Sequence, residues 1–363
     1  MNILWFTWKD KKNPAAGGAE LINEELAKKL VEEENEVKFL VGGFKGAEQK
    51  ETIYGYEIIR VGNRFTVYWE AFRYFRKHLN FWPDLIIEEI NTFPFFTQLY
   101  TKQKRVLLFY QLCREIWFYQ FSFPLNLIGY FLESIYLKFL SNNKVITESE
   151  STKKDLLKYG FSKENIAIFP IGISPIKSMK LNKFPNFTLL SFGTIRSMKR
   201  TTHQIKAFEI AKQHIPKLKL IIVGDSQNHY GKKVLQIIDA SPYKKDVSYF
   251  GKVDEKRKFY LMAQSHLILV TSVKEGWGLV VTEANSQGTP AIVYDVDGLR
   301  DSVEDKVTGL VCKKNNPNEL ARNIVKLFKE KKLYKRLQNN AFTWSKQFNF
   351  DKSYREFKNI LKL

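Results

Sequence analysis

The sequence predicts an α/β protein built from two doubly wound domains, and three observations carry that expectation. Short apolar runs alternate with helical stretches through residue 169, and the same alternation starts again at residue 188. Between them, residues 174–186 hold two prolines, three lysines and no periodicity, which reads as a linker. A glycine-bearing turn follows the first strand of each series, at residues 13–20 and 191–200. Strands that alternate with helices imply parallel sheets covered on both faces.

The elements follow in chain order. Residues 2–7 read as a strand and 19–33 as a helix, with Leu21, Ile22, Leu26, Leu30 and Val31 on one stripe. Strands are expected at 37–41, 85–89, 105–109, 144–147 and 166–169, and helices at 68–78, 131–140 and 151–159, the last capped by Ser151. In the second series, strands are expected at 188–191, 219–223, 247–250, 267–270 and 291–294, the fourth inside an apolar run, 263–270, that itself reads as a buried strand. Helices are expected at 202–214, 231–239, 254–264, 279–287 and 317–331, then as one stretch over 333–363. In such folds ligands sit beyond the carboxyl ends of the strands, so a cleft between the two halves is the expected site.

Composition narrows the function classes. The chain of 363 residues has the apolar and charged fractions of a globular protein. Two cysteines, Cys113 and Cys312, imply no disulfide framework and suit a reducing cytoplasm. The apolar start, residues 1–6, is followed at once by Lys9, Asp10, Lys11 and Lys12, and so reads as a buried strand and not a signal peptide. The aromatic stretch 117–140 comes nearest to a membrane span, but Pro124 and Glu133 interrupt it. The net charge of +20 is lopsided: residues 1–140 hold 18 Lys+Arg against 17 Asp+Glu, and residues 141–363 hold 40 against 21. A basic half suits phosphorylated small molecules, an anionic membrane face or nucleic acid. A nucleic-acid or polyanion binder is therefore the rival reading, but no zinc-finger spacing, RNA-recognition signature or heptad supports it.

The residues that point to chemistry lie mostly in the second series. Glu275-Gly276-Trp277-Gly278-Leu279 makes a glycine-flanked turn between a strand and a helix, and Glu283 follows eight residues after Glu275. Backbone N–H groups at such a helix start bind anions, and glycine permits close approach. A carboxylate beside that turn suits sugar-like hydroxyls or a developing positive charge, and Glu283 suits a diol. Arg196, Lys199 and Arg200 crowd the entrance of a helix, where the dipole disfavours cations and an anionic ligand reverses the penalty. Together the two loops read as a pyrophosphate clamp that needs no metal. The first loop, with Gly17, Gly18 and Glu20, offers close backbone approach, but it lacks the spaced glycines of a dinucleotide site, which ranks an oxidoreductase last. The five histidines have no metal-ligand spacing, and no nucleophile elbow or Walker loop is present.

At these residues the chain resembles the GT-B glycosyltransferases, specifically the large retaining family called group 1 or family 4, over nearly its whole length. The resemblance rests on Glu275 to Glu283, Gly288-Thr289-Pro290, Asp297-Gly298-Leu299, Gly309-Leu310-Val311 and the Pro317-Asn318-Glu319-Leu320 helix start. It extends to the Gly17-Gly18-Ala19-Glu20 loop and the Pro170-Ile171-Gly172-Ile173 crossover. It implies an N-terminal acceptor-binding Rossmann-like domain over 1–173, a nucleotide-sugar-binding one over 174–340, and a C-terminal helix, 341–363, that returns to the first. By the resemblance Glu275 serves the donor sugar and the anomeric carbon, and Glu283 the ribose diol. Gly276, Trp277, Gly278 and Leu279 offer backbone N–H groups, while Lys199 and Arg196 neutralise the pyrophosphate. Gly17 and Gly18 lie over the phosphates and Val253 near the base. The family usually has Arg after the glycine matching Gly193, where this chain has Thr194, and often a histidine where it has Tyr110-Gln111. Tyr110 and Gln111 are thus candidate sugar or acceptor contacts. The expected enzyme transfers a hexose from a UDP- or GDP-linked sugar to a lipid-linked or saccharide acceptor in envelope glycan synthesis, with no cofactor, no metal and no nucleic acid. It is expected in the cytoplasm, peripheral on the membrane's inner face. Tyr68, Trp69, Phe72, Tyr74, Phe75, Trp117, Phe118, Tyr119, Phe121 and Phe123 either form a docking surface there with Arg73, Arg76, Lys77 and Arg114, or pack in the N-terminal core.

Overall fold

The computed structural model describes residues 1–173, Met179 and residues 181–363. Six residues of the expected linker, 174–178 and 180, lie outside the described residues. The chain forms two compact units: Met1–Trp117, Phe121–Gly172 and Phe350–Leu363 make unit 1, and Phe118–Gln120 with Ile173–Asn349 make unit 2.

Unit 1 is built on an eight-stranded sheet among the described residues. In chain order its strands are β1 (Asn2–Phe6), β2 (Glu36–Gly42), β3 (Lys50–Ile53), β4 (Tyr56–Val61), β5 (Leu85–Glu89), β6 (Lys104–Phe109), β7 (Val145–Thr147) and β8 (Ile166–Ile168). They lie in the order β3-β4-β2-β1-β5-β6-β7-β8, parallel except for the β3–β4 hairpin. β1 sits between β2 and β5, with Ile3 opposite both Val37 and Leu85. Helices cover both faces, so β1 from Ile3 and the whole of β5 are buried without alternation, the β5 glutamates Glu88 and Glu89 included. The helix Gly18–Glu32 buries Ile22, Leu26, Ala27 and Leu30. The last helix, Phe350–Leu361, also belongs to unit 1. Its Phe357 stacks on Trp5 with ring centroids 6.0 Å apart and meets Phe169 edge-on at 5.4 Å.

Unit 2 carries six strands among the described residues: β9 (Thr188–Phe192), β10 (Lys219–Val223), β11 (Val247–Phe250), β12 (Leu267–Val270), β13 (Ala291–Tyr294) and β14 (Gly309–Cys312). All pair in parallel, in the order β11-β10-β9-β12-β13-β14. The chain winds outward from β9 to one edge and resumes on its other side at β12. β9 and β12 therefore flank a switch point, the place beyond whose strand ends such sheets take their ligands.

Several expectations are corrected. The hairpin β3–β4 was not anticipated, because its turn is Tyr54-Gly55 and not Asn-Gly or Asp-Gly. Gly55 has φ +88°, and a Cβ there would lie 2.6 Å from Val31. Strand β14 was seen only as a motif. The apolar run 263–270 divides, since Ala263 belongs to the helix Glu255–Gln264 and only Leu267–Val270 is strand. The expected stretch 333–363 is two helices, Lys331–Ser345 and Phe350–Leu361, separated where Ile173 N–H donates to the Phe348 carbonyl at 2.9 Å. Ser149, not Ser151, caps the helix Glu150–Lys158, its hydroxyl accepting the Thr152 N–H at 3.2 Å. Of the aromatic surface, Phe75 and Trp117 are core residues, and Arg114 is buried against Glu133 and the Tyr130 ring.

Phe357 is fully buried between two aromatic rings. Phe357→Ala is expected to lower stability by about 3–5 kcal/mol, the range for emptying a buried aromatic site. Urea unfolding measures it, and a loss below about 1 kcal/mol would mean that the C-terminal helix contributes little to unit 1.

Candidate functional site

The loop after β9 in unit 2 runs from Gly193 to Arg200, and the loop after β12 runs from Thr271 to Gly278. They are tied together along their backbones. Val273 N–H donates to the Met198 carbonyl at 2.8 Å, and the Thr271 hydroxyl donates to the Lys199 carbonyl at 2.8 Å and the Arg200 carbonyl at 3.2 Å. Gln204, on the helix Thr201–Lys212, donates to Thr271 Oγ1 at 3.0 Å. These bonds hold Arg200 in a left-handed conformation, φ +52°, that ordinary residues adopt at a cost. The result is that Lys199 Nζ ion-pairs with Glu275 Oε1, which also accepts the Ser272 hydroxyl at 2.5 Å. Both partners keep part of their side chains at the surface, Lys199 more than Glu275.

The Glu275 turn depends on glycine. Gly298 has φ +76°, and a Cβ there would fall 2.1 Å from the Glu275 carbonyl oxygen. Glu275 N–H in turn donates to the Asp297 carbonyl at 3.1 Å. Asp297 anchors the far side, accepting from buried Lys274 at 2.7 Å and pairing with Arg300. Burial alone would raise its carboxyl, but those two cations outweigh it and hold the group below its ordinary range. Gly278, φ +87°, opens the helix Leu279–Ser286, whose first turn has no side-chain cap. Trp277 turns its ring toward Trp344 and Phe348, so only its backbone is offered to a ligand. Glu283 lies on that helix, buried, and pairs with Lys258 at 2.8 Å. Burial raises its carboxyl, and Lys258 offsets only part of that rise. Val253 is half-buried beyond β11, and Arg196 is exposed.

Unit 1 has a comparable arrangement at the ends of β1 and β5. Gly17 and Gly18 are exposed, but the Gly17 N–H is already used by Glu20 Oε2 at 2.6 Å. Glu20 Oε2 also pairs with Lys9 at 3.3 Å. Beneath the loop, the Tyr110 hydroxyl donates to Asn23 Oδ1 and the Asn23 amide to Glu89 Oε2, both at 2.6 Å. One oxygen each of Glu20, Glu89 and Gln111 is buried with no hydrogen-bond partner among the described residues. Burial and the charge of Glu20 push the Glu89 carboxyl up to about 7, against the opposing pull of Asn23, Thr7 and Lys9.

Of the residues that the sequence singles out, the structure brings Lys199 and Glu275 together and sets Glu283 on the helix that follows their glycine turn. Sequence reasoning missed Lys258, Ser272, Lys274, Asn23 and Glu89. Lys258 is 25 residues from its partner, and no local pattern links the two. Glu89 reads as the end of an apolar strand, and only the pairing of β5 with β1 places it under the loop.

A family model described as glycosyl transferases group 1 matches residues 176–344, and one described as glycosyltransferase family 4 matches residues 16–176. An uncharacterized glycosyltransferase of Haemophilus influenzae is 26% identical over 244 residues, 67% of each chain. Two further curated relatives, from Bacillus subtilis and Bacillus anthracis, are matched over 23% and 39% of their own length. Among solved structures, sucrose-phosphate synthase from Thermosynechococcus elongatus superposes with TM-score 0.81 at 18% identity, over 99% of this chain and 98% of that one. The Anabaena protein HepE, solved in complex with UDP-glucose, gives TM-score 0.75 at 20% identity over all of both chains. The fold is that of the GT-B class, two parallel-sheet Rossmann-like domains. Within that class the chain belongs to the group 1, family 4 glycosyltransferases, whose two models together span residues 16–344.

Glu89 generates a pH dependence. Its carboxyl sits at about 7 in the folded protein and near the ordinary ~4.3 when unfolded. Between those values only the folded state keeps the proton, so stability falls as pH rises through the window and the loss is complete above it. Glu89→Gln is expected to flatten that slope. Urea unfolding at mildly acid and mildly alkaline pH reads the difference, and an unchanged slope would remove Glu89 as its source.

Proposed function

We propose that the chain is a retaining hexosyltransferase that moves a sugar from a nucleoside-diphosphate donor to a saccharide or lipid-linked acceptor in envelope glycan synthesis. The observation that carries the reading is the meeting of Lys199 and Glu275 at the unit 2 switch point, beside the uncapped helix start that leads to Glu283. Glu283 accepts hydrogen bonds from the ribose diol in this reading, with Lys258 keeping the carboxylate charged as the donor covers it. The uncapped N–H groups from Gly276 to Leu279 receive the phosphates and sugar hydroxyls. Lys199, Arg196 and Arg200 neutralise the pyrophosphate, so no divalent metal is required. Val253 meets the base, and in unit 1 Tyr110 and Gln111 contact sugar or acceptor.

Transfer proceeds through an oxocarbenium-like state. The bond from the anomeric carbon to the leaving phosphate oxygen breaks, and the acceptor oxygen bonds to the same face of the sugar. The departing phosphate takes the acceptor's proton. Stabilisation of that phosphate by fixed cations and backbone donors is the large term. Glu275, held by Lys199 and Ser272, faces the charge that develops on the sugar. The enzyme is placed on the cytoplasmic side, in keeping with its two buried thiols, Cys113 and Cys312.

A panel of UDP-glucose, UDP-N-acetylhexosamine and GDP-mannose in a thermal-shift assay tests the donor: one of them should raise the melting temperature. Glu283→Ala should weaken that donor by about 1.5–3 kcal/mol, as for a hydrogen bond to a charged group, whereas Glu275→Ala should lower turnover more than donor binding. Calorimetry and steady-state kinetics separate the two, and equal effects on binding and turnover would undo the assignment. Activity should persist in excess EDTA. Loss of activity restored by magnesium or manganese would replace the cationic clamp with a metal.

A further inference from the structure

The helix Leu125–Leu140 in unit 1 holds an apolar face in water, and the structure shows why that face cannot turn inward. Glu133 is buried, and its two oxygens accept the Cys113 and Arg114 N–H groups at 2.7 Å each and the Trp117 indole N–H at 2.9 Å. Gly129 lets the Trp117 ring lie against the helix, since a Cβ there would fall 2.3 Å from it. With Tyr136, Leu137 and Leu140 these residues make the inner face. Any rotation would strip a buried carboxylate of three donors. The opposite face therefore stays out: Leu125, Ile128, Phe131, Leu132, Ile135 and Phe139 are exposed, Phe131 by 63% and Ile135 by 64%. From Leu125 to Phe139 the stripe runs roughly 21 Å at the helical rise per residue. Among the exposed residues of this helix Lys138 is the only charged one, and none is acidic. Soluble surfaces rarely leave such a patch without a partner.

Ring contacts link it to a second, cationic helix. Phe139 meets Phe96 at 6.0 Å, and Tyr136 meets Phe93 at 5.9 Å, which in turn meets Tyr68 at 5.4 Å. Tyr68 lies on the helix Val67–Tyr74, which continues through Phe75–Leu79 and exposes Trp69, Arg73, Arg76 and Lys77. Arg73 shares its charge with Glu70 at 3.6 Å, while Arg76 and Lys77 project beyond it. A long aliphatic and aromatic stripe that carries Lys138 and no exposed carboxylate, linked to a helix that exposes Arg76 and Lys77, complements an anionic lipid leaflet, in which the stripe sinks to the acyl boundary and the cations meet phosphate. No helix among the described residues is long and apolar enough to cross a membrane, so the fit is to its surface.

We propose that the outer face of Leu125–Leu140, with Arg76 and Lys77, is the lipid-docking surface of this protein. The inference deepens the proposed function by fixing where a lipid-linked acceptor is met, and it rests on that reading for the acceptor alone. Co-sedimentation with vesicles of phosphatidylcholine, pure or mixed with phosphatidylglycerol, tests it. The protein should bind the mixed vesicles and release partly in high salt. The double substitution Phe131→Ser with Ile135→Ser should cut partitioning about tenfold or more, since two apolar side chains no longer leave water. Arg76→Ala with Lys77→Ala should cut the salt-sensitive part about fivefold per cation. Both variants should keep the wild-type melting temperature and donor-induced shift. Negligible binding to either vesicle, or binding that the Phe131/Ile135 variant retains, would overturn the proposal. So would a dimer in sedimentation velocity that this variant dissociates without vesicle binding, because the face would then join two copies. Vesicle binding without any sugar-nucleotide shift would overturn the donor reading and leave the docking surface standing.

Discussion

The parallel pairing of β9 with β12, Leu190 opposite Ile268, is the constraint on which the site depends. The two strands are far apart in the chain, yet their carboxyl ends lie side by side, and each ends in a loop with no strand to continue it. The loops must satisfy their own backbone groups. They do so on each other, through Val273 to Met198 and Thr271 to Lys199 and Arg200. That mutual hydrogen bonding turns two flexible connections into one rigid rim. It sets Lys199 against Glu275 before any ligand arrives, and preorganised charge of this kind stabilises a transition state without the cost of reorganisation.

Charge burial is managed differently in the two units. In unit 2 each buried or half-buried carboxylate of the site has a lysine: Glu275 has Lys199, Glu283 has Lys258, and Asp297 has Lys274. Removing one member would strand the other, which is costly in a low-dielectric setting. In the proposed reading, a bound donor brings hydroxyls and phosphates that compete for the same partners. In unit 1 the carboxylates outnumber the cations beneath the glycine loop. Glu89 and Glu20 share one lysine, Lys9, with neutral Asn23 and Tyr110 completing the network. Burial first, and then the charge of Glu20, raise the Glu89 carboxyl, whereas in unit 2 burial raises Glu283 and the paired Lys258 offsets part of the rise.

The aromatic residues of unit 1 illustrate how one composition serves opposite ends. Phe75, Trp117 and Phe357 fill the interior, and Phe131, Trp69 and Phe123 stand in solvent. What separates them is polar anchoring and not hydrophobicity. Glu133 is surrounded by N–H donors and therefore fixes which side of its helix faces the core. Aromatic count alone could not separate the two groups: Phe75, Trp117 and Arg114 are buried, whereas Trp69, Phe118, Tyr119 and Phe123 are exposed.

The sequence by itself determined the α/β class, the split into two series and the two site loops. Strand periodicity, Gly276 and Gly278, and the eight-residue spacing of Glu275 and Glu283 are local signals, set by residues within one turn or strand of each other. It did not determine the β3–β4 hairpin, whose Tyr54-Gly55 turn lacks the usual residue signature, or the break at residues 346–349 in the final helical stretch. Nor did it determine the partners. Lys258 for Glu283, Asn23 for Glu89 and Gly298 beneath Glu275 are contacts across the sheet between segments distant in the chain. Strand order alone brings them together, and strand order is fixed by how the helices cover both faces, which no stretch of sequence encodes by itself.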